Sequence, residues 1–344
     1  MTTATVTIGA TAASNVYKIG HGLMLMTWVP TPVPDEQCFE AMKAGMDKLP
    51  PGVKMVLNSA EFYGFNPPEA NLELIARFFE KYPEYAEKAF LVVKGGVQVV
   101  GGRPSVNLTA DGLRTSAENI VAKLRGTHVV DVFEPARMSQ SEFPLEDVMR
   151  ALKTLKEEGM FKNVGLSEVG AETIRRASKI VPIATCEIEV SLWSYEEETK
   201  RVIAACRENN VAILAYSPLG RGFLSGKYTK PEDLEDGDFR KRFSRFTNEA
   251  MKNNAAVVDA LKALATKKGC TPAQLCIAWV SSLGQHIIPI PGSSKAERTL
   301  ENVAAGNTVL TAAELKEIDN ILEKYPVQGG RAVDGMSEAL HLWG

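Results

Sequence analysis

The chain has 344 residues, of which 45% are hydrophobic and 24% are charged, a composition typical of soluble globular proteins. The formal net charge of −3 gives no indication of nucleic acid or an anionic membrane as a partner. No apolar run approaches the ~18 residues that a membrane span requires, and the Thr- and Ala-rich N-terminus lacks the basic start of a secretory signal. We therefore expect a cytoplasmic protein, with access to the nucleus left open.

Eight short apolar runs recur along the chain, and each predicts a buried strand because its apolar residues do not alternate with polar ones. They occupy residues 22–26, 54–58, 90–94, 129–133, 162–167, 183–188, 211–217 and 286–291. Apolar residues at helical spacing lie between the runs, as at Leu72, Ile75 and Phe79. Capping boxes predict helix starts at Thr271 and Thr311.

Strand–helix alternation repeated eight times predicts one (β/α)8 TIM barrel over residues 1–344. A doubly wound sheet is the alternative, but it requires a dinucleotide turn of the form GxGxxG, which the sequence lacks. Residues 218–249 are predicted to form a long loop that is either a solvated surface loop or a cover over the cofactor. Residues 325–344 are a C-terminal tail that either covers the substrate or packs on the barrel. The five cysteines are scattered, which predicts buried free thiols and no metal centre.

A tyrosine and a lysine mark the expected active site, because such barrels carry it at the carboxyl ends of their strands. Tyr63 follows the second predicted strand and Lys94 ends the third, so the two side chains are expected to lie close together. An ammonium beside a phenol favours the phenolate and lowers the phenol pKa from about 10. The pair is thus suited to protonating a carbonyl oxygen while a hydride reaches the carbon. Taken singly, each residue also fits an ordinary packing role.

Seven segments, in the same order along the chain, resemble the aldo-keto reductase family. They are MTW (26–28), NSAEFYG (58–64), VVK (92–94), VGLSEVGAETI (164–174), EIEVSLWS (187–194), AYSPLGRGFLSG (215–226) and IPIPGSSKAERTLENVAA (288–305). The resemblance covers nearly the whole chain. It implies an enzyme built on a barrel that binds NADPH without a Rossmann fold and reduces the carbonyl group of a small molecule.

Position by position, the resemblance implies that Tyr63 is the catalytic proton donor and that Lys94 lowers its pKa. The cofactor-binding positions that it implies are Thr27, Ser167, Glu168, Glu187, Tyr216, Ser217, Leu219, Arg221, Ser293, Ser294, Lys295, Arg298, Glu301 and Asn302. The residues at 167, 168 and 187 would hold the nicotinamide carboxamide, and Tyr216 would stack on the nicotinamide ring. Residues 217–221 would line the pyrophosphate, and residues 293–302 the adenosine 2′-phosphate end. Hydroxyls, two cations and a helix N-terminus make a good phosphate site, and the two cations favour NADPH over NADH.

Two catalytic positions depart from the family pattern. Asn58 replaces the aspartate that pairs with the lysine, so we expect Lys94 to lack a neutralising partner and the field at Tyr63 to be more positive. Burial opposes this effect by favouring a neutral lysine, and the sequence does not decide between the two. Ala136 stands where a histidine would polarise the carbonyl, an interaction worth roughly 2–4 kcal/mol where it is used. Glu168 replaces the family's usual asparagine and Glu187 its usual glutamine, which alters the carboxamide site.

Asn58 and the segment FEPARM (133–138), which lacks the histidine, resemble the fungal pyridoxal reductase branch of the family. The implied reaction is the reduction of pyridoxal to pyridoxine. In pyridoxal a hydroxyl lies ortho to the aldehyde, and we expect its internal hydrogen bond to replace the missing histidine. Trp28, Glu61 and Arg137 are expected near the substrate, although a surface ion pair is the alternative for Arg137.

Two other functions stay open. One is a general reductase of aldehydes, ketones or quinones, and the other is a catalytically weak NADP(H)-binding regulatory module. Retention of both Tyr63 and Lys94 favours an enzyme, because a binding module does not need them. The oligomeric state is left open as well.

Overall fold

A computed structural model describes residues 5–9, 13–100, 103–331, 333 and 342–344. The strands are, in chain order, β1 (Thr5–Ile8), β2 (Ser14–Tyr17), β3 (His21–Gly22), β4 (Met55–Ala60), β5 (Ala89–Gly95), β6 (Val97–Val100), β7 (Arg103–Val106), β8 (Val132–Pro135), β9 (Asn163–Ser167), β10 (Ile183–Glu189), β11 (Ala212–Tyr216) and β12 (Ile287–Pro289). The helices are α1 (Met24–Thr27), α2 (Asp35–Met46), α3 (Ala70–Lys81), α4 (Ala110–Leu124), α5 (Leu145–Glu157), α6 (Ala171–Ser178), α7 (Glu197–Glu208), α8 (Asn248–Lys268), α9 (Pro272–Ser282), α10 (Ala296–Ala304) and α11 (Ala312–Lys324). Within these ranges, no helix combines the length and the apolar character that crossing a bilayer would take.

Eight of these strands form one parallel sheet, in the order β12-β11-β10-β9-β8-β5-β4-β3. Its two ends meet, because Gly22 bridges Gly292 and the Gly22 amide donates to the Pro291 carbonyl at 3.2 Å. Helices follow the strands on the outside. The predicted (β/α)8 barrel is confirmed, and the doubly wound alternative is wrong because an open sheet would leave these edges unpaired.

The N-terminal hairpin closes one end of the barrel. β1 and β2 pair antiparallel, and their Val6, Ile8 and Val16 side chains are buried. They pack with the inward-facing apolar side chains of the barrel strands, which are Val56, Phe90, Val92, Val132, Ala184, Ala212, Leu214, Ile288 and Ile290. This end is therefore dry and apolar, and the polar side chains collect at the opposite, carboxyl ends of the strands.

The helical predictions hold for the long amphipathic segments. Leu72, Ile75 and Phe79 are buried on α3, and both predicted capping boxes form, at the starts of α9 and α11. The predicted strand at 22–26 is wrong in part, since the chain leaves the sheet after Gly22 and forms α1. Its Leu and Met residues lack the β-branching that favours strands and are good helix formers.

The long loop and the C-terminal tail contact each other. Residues 218–249 fold into four 3₁₀ turns before α8, at Gly220–Ser225, Pro231–Asp233, Phe239–Arg242 and Ser244–Phe246. The Gly330 amide donates to Ser244 Oγ at 3.0 Å, and Asn254 exchanges two hydrogen bonds with the backbone of Gln328. The tail thus packs on the loop and on α8 up to residue 331. That the loop covers a cofactor stays a prediction, and most of the tail beyond Arg331, including His341, lies outside the described residues.

Candidate active site

The predicted catalytic pair comes together at the carboxyl ends of β4 and β5. Parallel pairing places Ala60 opposite Lys94, so the turn that carries Tyr63 begins beside the lysine. The Lys94 ammonium lies 5.2 Å from the centre of the Tyr63 ring, and both side chains are buried. Thr27 holds the turn, because its hydroxyl donates to the Tyr63 carbonyl at 2.6 Å. The Thr27 hydroxyl is therefore engaged within the protein, and its predicted contact with a cofactor stays a prediction.

A third strand supplies a carboxylate to this pair. Lys94 Nζ donates to Asn58 Oδ1 at 2.8 Å and to Glu187 Oε2 at 2.7 Å. Asn58 Nδ2 donates to the same Glu187 oxygen at 2.6 Å. Glu187 lies on β10, across the barrel interior from β4 and β5, and it is buried. The carboxylate that the family keeps at position 58 is thus present, but it comes from residue 187.

This arrangement overturns the expectation that Lys94 lacks a neutralising partner. Burial opposes the ammonium form, but attraction to the Glu187 carboxylate and its hydrogen bond raise the Lys94 pKa above its ordinary value. Lys94 is therefore a cation at neutral pH. Glu187 Oε2 binds both Lys94 and Asn58, and the predicted contact of Glu187 with the carboxamide stays a prediction.

The phenol of Tyr63 is neutral in the resting site. Burial raises its pKa above the ordinary value, Lys94 lowers it, and Glu187 raises it again. The expected low pKa is wrong for this state, because desolvation outweighs the nearby ammonium. The buried phenol consequently keeps the proton that an acid catalyst needs.

A second carboxyl group, on Glu134 of β8, lies beside Lys94. Strand pairing places Glu134 opposite Lys94, and the Thr185 hydroxyl donates to its Oε1 at 2.6 Å. The side chain is fully buried, and its Oε2 has no partner among the described residues. Burial, followed by the charge of Glu187, raises the pKa of Glu134 well above its ordinary value. Burial and the neighbouring carboxylate therefore both favour the protonated form of Glu134.

Ser167 and Glu168, predicted to hold the carboxamide, lie at the end of β9, and Tyr216, predicted to stack on the nicotinamide ring, ends β11. Ser167 Oγ is buried and has no hydrogen-bond partner in the described part of the chain. Glu168 is fully buried in the left-handed backbone region, at φ 54°, and Tyr216 donates its hydroxyl to Glu168 Oε1 at 2.8 Å. An unpartnered buried hydroxyl is costly unless a ligand completes it. Ser167 thus marks a place where a polar ligand group fits.

The predicted pyrophosphate segment follows β11. Ser217 and Arg221 both have positive φ angles, and the Gly220 amide donates to the Ser217 carbonyl at 2.8 Å, with Leu219 half-buried between them. The guanidinium of Arg221 pairs with the buried Glu189 at 3.1 Å and lies over the Phe243 ring. The Arg221 guanidinium is therefore already paired with a carboxylate of the protein. The sequence instead predicts an unpaired guanidinium that lines the cofactor pyrophosphate.

The predicted 2′-phosphate site lies at the start of α10. Ser293 Oγ accepts from the Lys295 amide at 3.3 Å, and Ser294 is half-buried beside it. Lys295 and Arg298 are exposed, and neither forms an ion pair with any described residue. One turn on, Asn302 is buried with its Oδ1 unpartnered within the described ranges.

Glu301 is half-buried next to Asn302. Unpaired cations at a helix N-terminus fit an anion. The unpartnered amide oxygen of Asn302 fits a donor such as an amino group. These features are consistent with an adenosine phosphate at this end, and the individual contacts stay predictions.

Aromatic side chains surround the Tyr63 phenol. Trp28 stacks on its ring with centroids 5.3 Å apart, and Phe62 meets both rings edge-on. Phe65 is 65% exposed and completes the rim. The surroundings of the phenol are thus aromatic and suited to contact with a flat ring.

Arg137 and Glu61, both predicted to lie near the substrate, have different surroundings in the structure. Arg137 follows the buried Ala136, its Nε is buried without a partner among the described residues, and its charge lowers the pKa of both Tyr63 and Glu168. It therefore lies near the predicted site. The Glu61 carboxylate instead accepts from Ser116 Oγ at 2.5 Å and from Asn119. Two side chains of α4 thus hold the Glu61 carboxylate, and its predicted contact with the substrate stays a prediction.

A family model described as "Aldo/keto reductase family" matches residues 18–323. This chain belongs to that family. The protein named "Probable pyridoxal reductase 2" from Schizosaccharomyces pombe is 36% identical over 321 residues, 92% of this chain and 94% of its own length. "Aldo-keto reductase yakc [NADP(+)]" from the same organism is 36% identical over 289 residues, 83% of each chain.

Solved structures agree with the family fold. Glycerol dehydrogenase AKR11B4 from Gluconobacter oxydans matches with a TM-score of 0.83 and 22% identity, over 95% of this chain and 98% of that one. An aldo-keto reductase from Klebsiella pneumoniae, solved in complex with NADPH, matches with a TM-score of 0.65 and 21% identity, over 97% and 99% of the two chains. At this identity the likeness shows the fold alone.

Two features of this aldo/keto reductase were not predicted from its sequence. Glu187 is 129 positions from Asn58 and 93 from Lys94, and its pairing depends on closure of the barrel. Arg331 of the tail binds Glu168 at 2.8 Å across 163 positions. The glutamates at 168 and 187, where the family keeps amides, were the available signal, because two buried acids require two cations.

Proposed function

We propose that the protein reduces an aldehyde to its alcohol with NADPH, and that its substrate is pyridoxal. The observation that carries this proposal is the buried group of Tyr63, Lys94, Asn58 and Glu187 at the mouth of the barrel. A neutral phenol beside a permanently charged ammonium has the properties of a proton donor to a developing alkoxide. A protein that only binds a dinucleotide would have no use for such a group.

The cofactor proposal rests on two buried polar groups that lack hydrogen-bond partners, one expected at each end of the cofactor. Ser167 Oγ at the end of β9 and Asn302 Oδ1 on α10 are both buried without partners among the described residues. Lys295 and Arg298 supply two cations close to Asn302, as a 2′-phosphate requires. A relative carries NADP(+) in its name, and a structural neighbour was solved with NADPH. Bound in this way, NADPH would supply the hydride.

The chain's own residues then handle the proton. As the carbonyl carbon accepts the hydride, the carbonyl oxygen takes the proton of Tyr63, which leaves a phenolate. Lys94 stabilises that phenolate, and Glu187 and Asn58 fix the ammonium in place by accepting its hydrogen bonds. The surrounding apolar rings exclude water, which strengthens these electrostatic interactions.

The substrate proposal rests on the aromatic side chains around Tyr63 and on the absence of a hydrogen-bond donor at position 136. Trp28, Phe62 and Phe65 offer flat apolar contacts to an aromatic ring. Ala136 provides no donor for the carbonyl, whereas the 3-hydroxyl of pyridoxal polarises its own aldehyde. Arg137, with its unpartnered Nε, is suited to a hydroxyl or a phenolate oxygen of the substrate. The name of the relative at 36% identity agrees with this choice.

A steady-state assay of NADPH oxidation tests the reaction. We expect turnover with pyridoxal, and much less with pyridoxal phosphate or benzaldehyde, relative to an enzyme-free control that corrects for reaction of pyridoxal with amines. Tyr63→Phe should lower kcat by about 10²–10⁴-fold and leave NADPH binding unchanged. Wild-type turnover in Tyr63→Phe contradicts the mechanism. Tight NADPH binding without turnover of any aldehyde favours the regulatory module instead.

A matched substrate pair tests the role of the 3-hydroxyl. The 3-O-methyl ether of pyridoxal replaces the hydroxyl proton by a methyl group and so lacks the internal hydrogen bond to the aldehyde. We expect the ether to lose about 30-fold or more in kcat, with a much smaller change in KM, because the missing donor acts on the transition state. Equal kcat for the two aldehydes would show that the protein supplies the donor itself.

A further inference from the structure

The C-terminal tail reaches the predicted carboxamide site. Arg245 donates to the Gly329 carbonyl at 3.0 Å, and Arg221 donates to the carbonyl of Arg331 at 3.2 Å. Val333 bridges Phe243 of the long loop. These contacts direct the Arg331 side chain inward, where only 10% of it is exposed.

Inside the barrel mouth, Arg331 binds Glu168 with two nitrogens. Its Nη2 lies 2.8 Å from Glu168 Oε2, and its Nη1 lies 3.3 Å from Oε1. The guanidinium also lies over the Trp343 ring, 4.5 Å from its centre, and the Trp343 amide donates to the Glu168 carbonyl at 2.9 Å. Two separate parts of the tail therefore meet at one residue of β9's carboxyl end.

Without Arg331, the buried carboxylate of Glu168 would lower the stability of the folded protein. It is fully buried, and burial alone raises the pKa of a carboxyl group. Attraction to Arg331, with smaller effects of Arg137 and Tyr216, overcomes that penalty and lowers the Glu168 pKa below its ordinary value. The Glu189 amide and the Tyr216 hydroxyl further fix Oε1. The pair Glu168–Arg331 is thus a charge-balanced, oriented acceptor.

A nicotinamide carboxamide presents one N–H donor group and one carbonyl acceptor. Glu168 can accept from the former, and the unpartnered hydroxyl of Ser167, the preceding residue, can donate to the latter. We propose that Arg331 is a positioning residue of the cofactor site, which holds Glu168 as the acceptor for the carboxamide N–H. This inference rests on the proposed use of a nicotinamide cofactor. It makes the tail part of cofactor binding and not merely a surface segment.

Binding measurements on matched variants test the proposal. We would titrate NADPH, followed by its fluorescence, into wild type, Arg331→Met, Arg331→Lys, Glu168→Gln and the double variant Glu168→Gln/Arg331→Met. Arg331→Met should weaken NADPH binding by about tenfold or more, because an unpaired buried carboxylate loses its orientation. Arg331→Lys should be intermediate, and the double variant should return to within about threefold of wild type, because neither charge is left unpaired.

A fragment provides the control for simple misfolding. The compound 2′,5′-ADP carries the adenosine end of the cofactor but no nicotinamide, so all five proteins should bind it equally well. In steady-state kinetics, Arg331→Met should raise the KM for NADPH by a larger factor than it lowers kcat, since the Tyr63–Lys94 pair is intact. Equal loss of 2′,5′-ADP binding would show a general structural effect and overturn the proposal.

NADPH binding by the wild type distinguishes failure of the Arg331 proposal from failure of the proposed function. If wild type binds NADPH and Arg331→Met binds it equally or more tightly, Arg331 does not position the site and this proposal is wrong. If wild type binds no NADPH, the proposed function is wrong, and the role of Arg331 falls with it.

Discussion

Among the buried carboxylate–cation pairs at the mouth of the barrel, two are built in different ways. In the first, Lys94 and Glu187 both come from barrel strands and lie 2.7 Å apart. In the second, Glu168 follows a barrel strand, but its partner Arg331 comes from the C-terminal tail, 2.8 Å away. All four side chains are at most 10% exposed. Each pair therefore lies in an environment where a lone charge would be costly.

The difference lies in what fixes the geometry. Strand register positions Lys94 and Glu187, so the first pair is as rigid as the sheet. The second pair depends on a few contacts between the tail and the long loop. We infer that the first pair serves chemistry, which needs fixed distances, whereas the second serves binding, which tolerates a segment that docks.

Removing the cation of each pair should give the largest difference between the two pairs. Lys94→Met should lower kcat by about 10²–10⁴-fold, because the phenolate of Tyr63 loses its stabilising charge. It should also lower the free energy of unfolding by about 3–5 kcal/mol, because Glu187 is left unpaired in the interior. Arg331→Met should act mainly on the NADPH Kd. Kinetics, titration and denaturant unfolding of both variants measure the contrast, and identical effects on kcat would remove the distinction.

Moving the carboxylate tests whether Glu187 replaces the aspartate of the family. Glu187→Gln should lower kcat by about tenfold, since Lys94 then lacks the carboxylate that fixes its position and charge beside Tyr63. Asn58→Asp/Glu187→Gln restores one acid beside the same ammonium and should recover most of the activity. Asn58→Asp alone is the control, because it adds a second acid to the pair. A double variant no better than Glu187→Gln would show that position 187 has a role of its own.

The smallest expected effect concerns Glu134, which lies opposite Lys94 on the neighbouring strand. Because its pKa is raised in the folded protein, the folded state holds a proton that the unfolded chain loses above about pH 4.3. The folded state thus binds more protons, and stability falls as pH rises through this window, by at most about 1.4 kcal/mol per pH unit. Glu134→Gln should remove that slope. Unfolding curves between pH 5 and 8 measure it, and parallel curves for wild type and variant would contradict a neutral Glu134.

Much of the fold follows from local sequence patterns. Apolar runs and helical spacing predict the barrel, and the structure and the family match confirm it. The exception at 22–26 arose because a short apolar run does not distinguish a strand from a helix. All five cysteines are free thiols and four are buried, as predicted. The proposed ligand contacts, substrate and location stay predictions.

By itself, the sequence determined the kind of chemistry in this protein. Tyr63 and Lys94 each stand at the end of a predicted strand, and parallel strands of one barrel end on the same side. Only the tertiary structure decided which charges balance them. Glu187 reaches Lys94 across the closed barrel, and Arg331 reaches Glu168 from the far end of the chain. Such pairings depend on distances in space between residues far apart in sequence, and no local periodicity or motif encodes them.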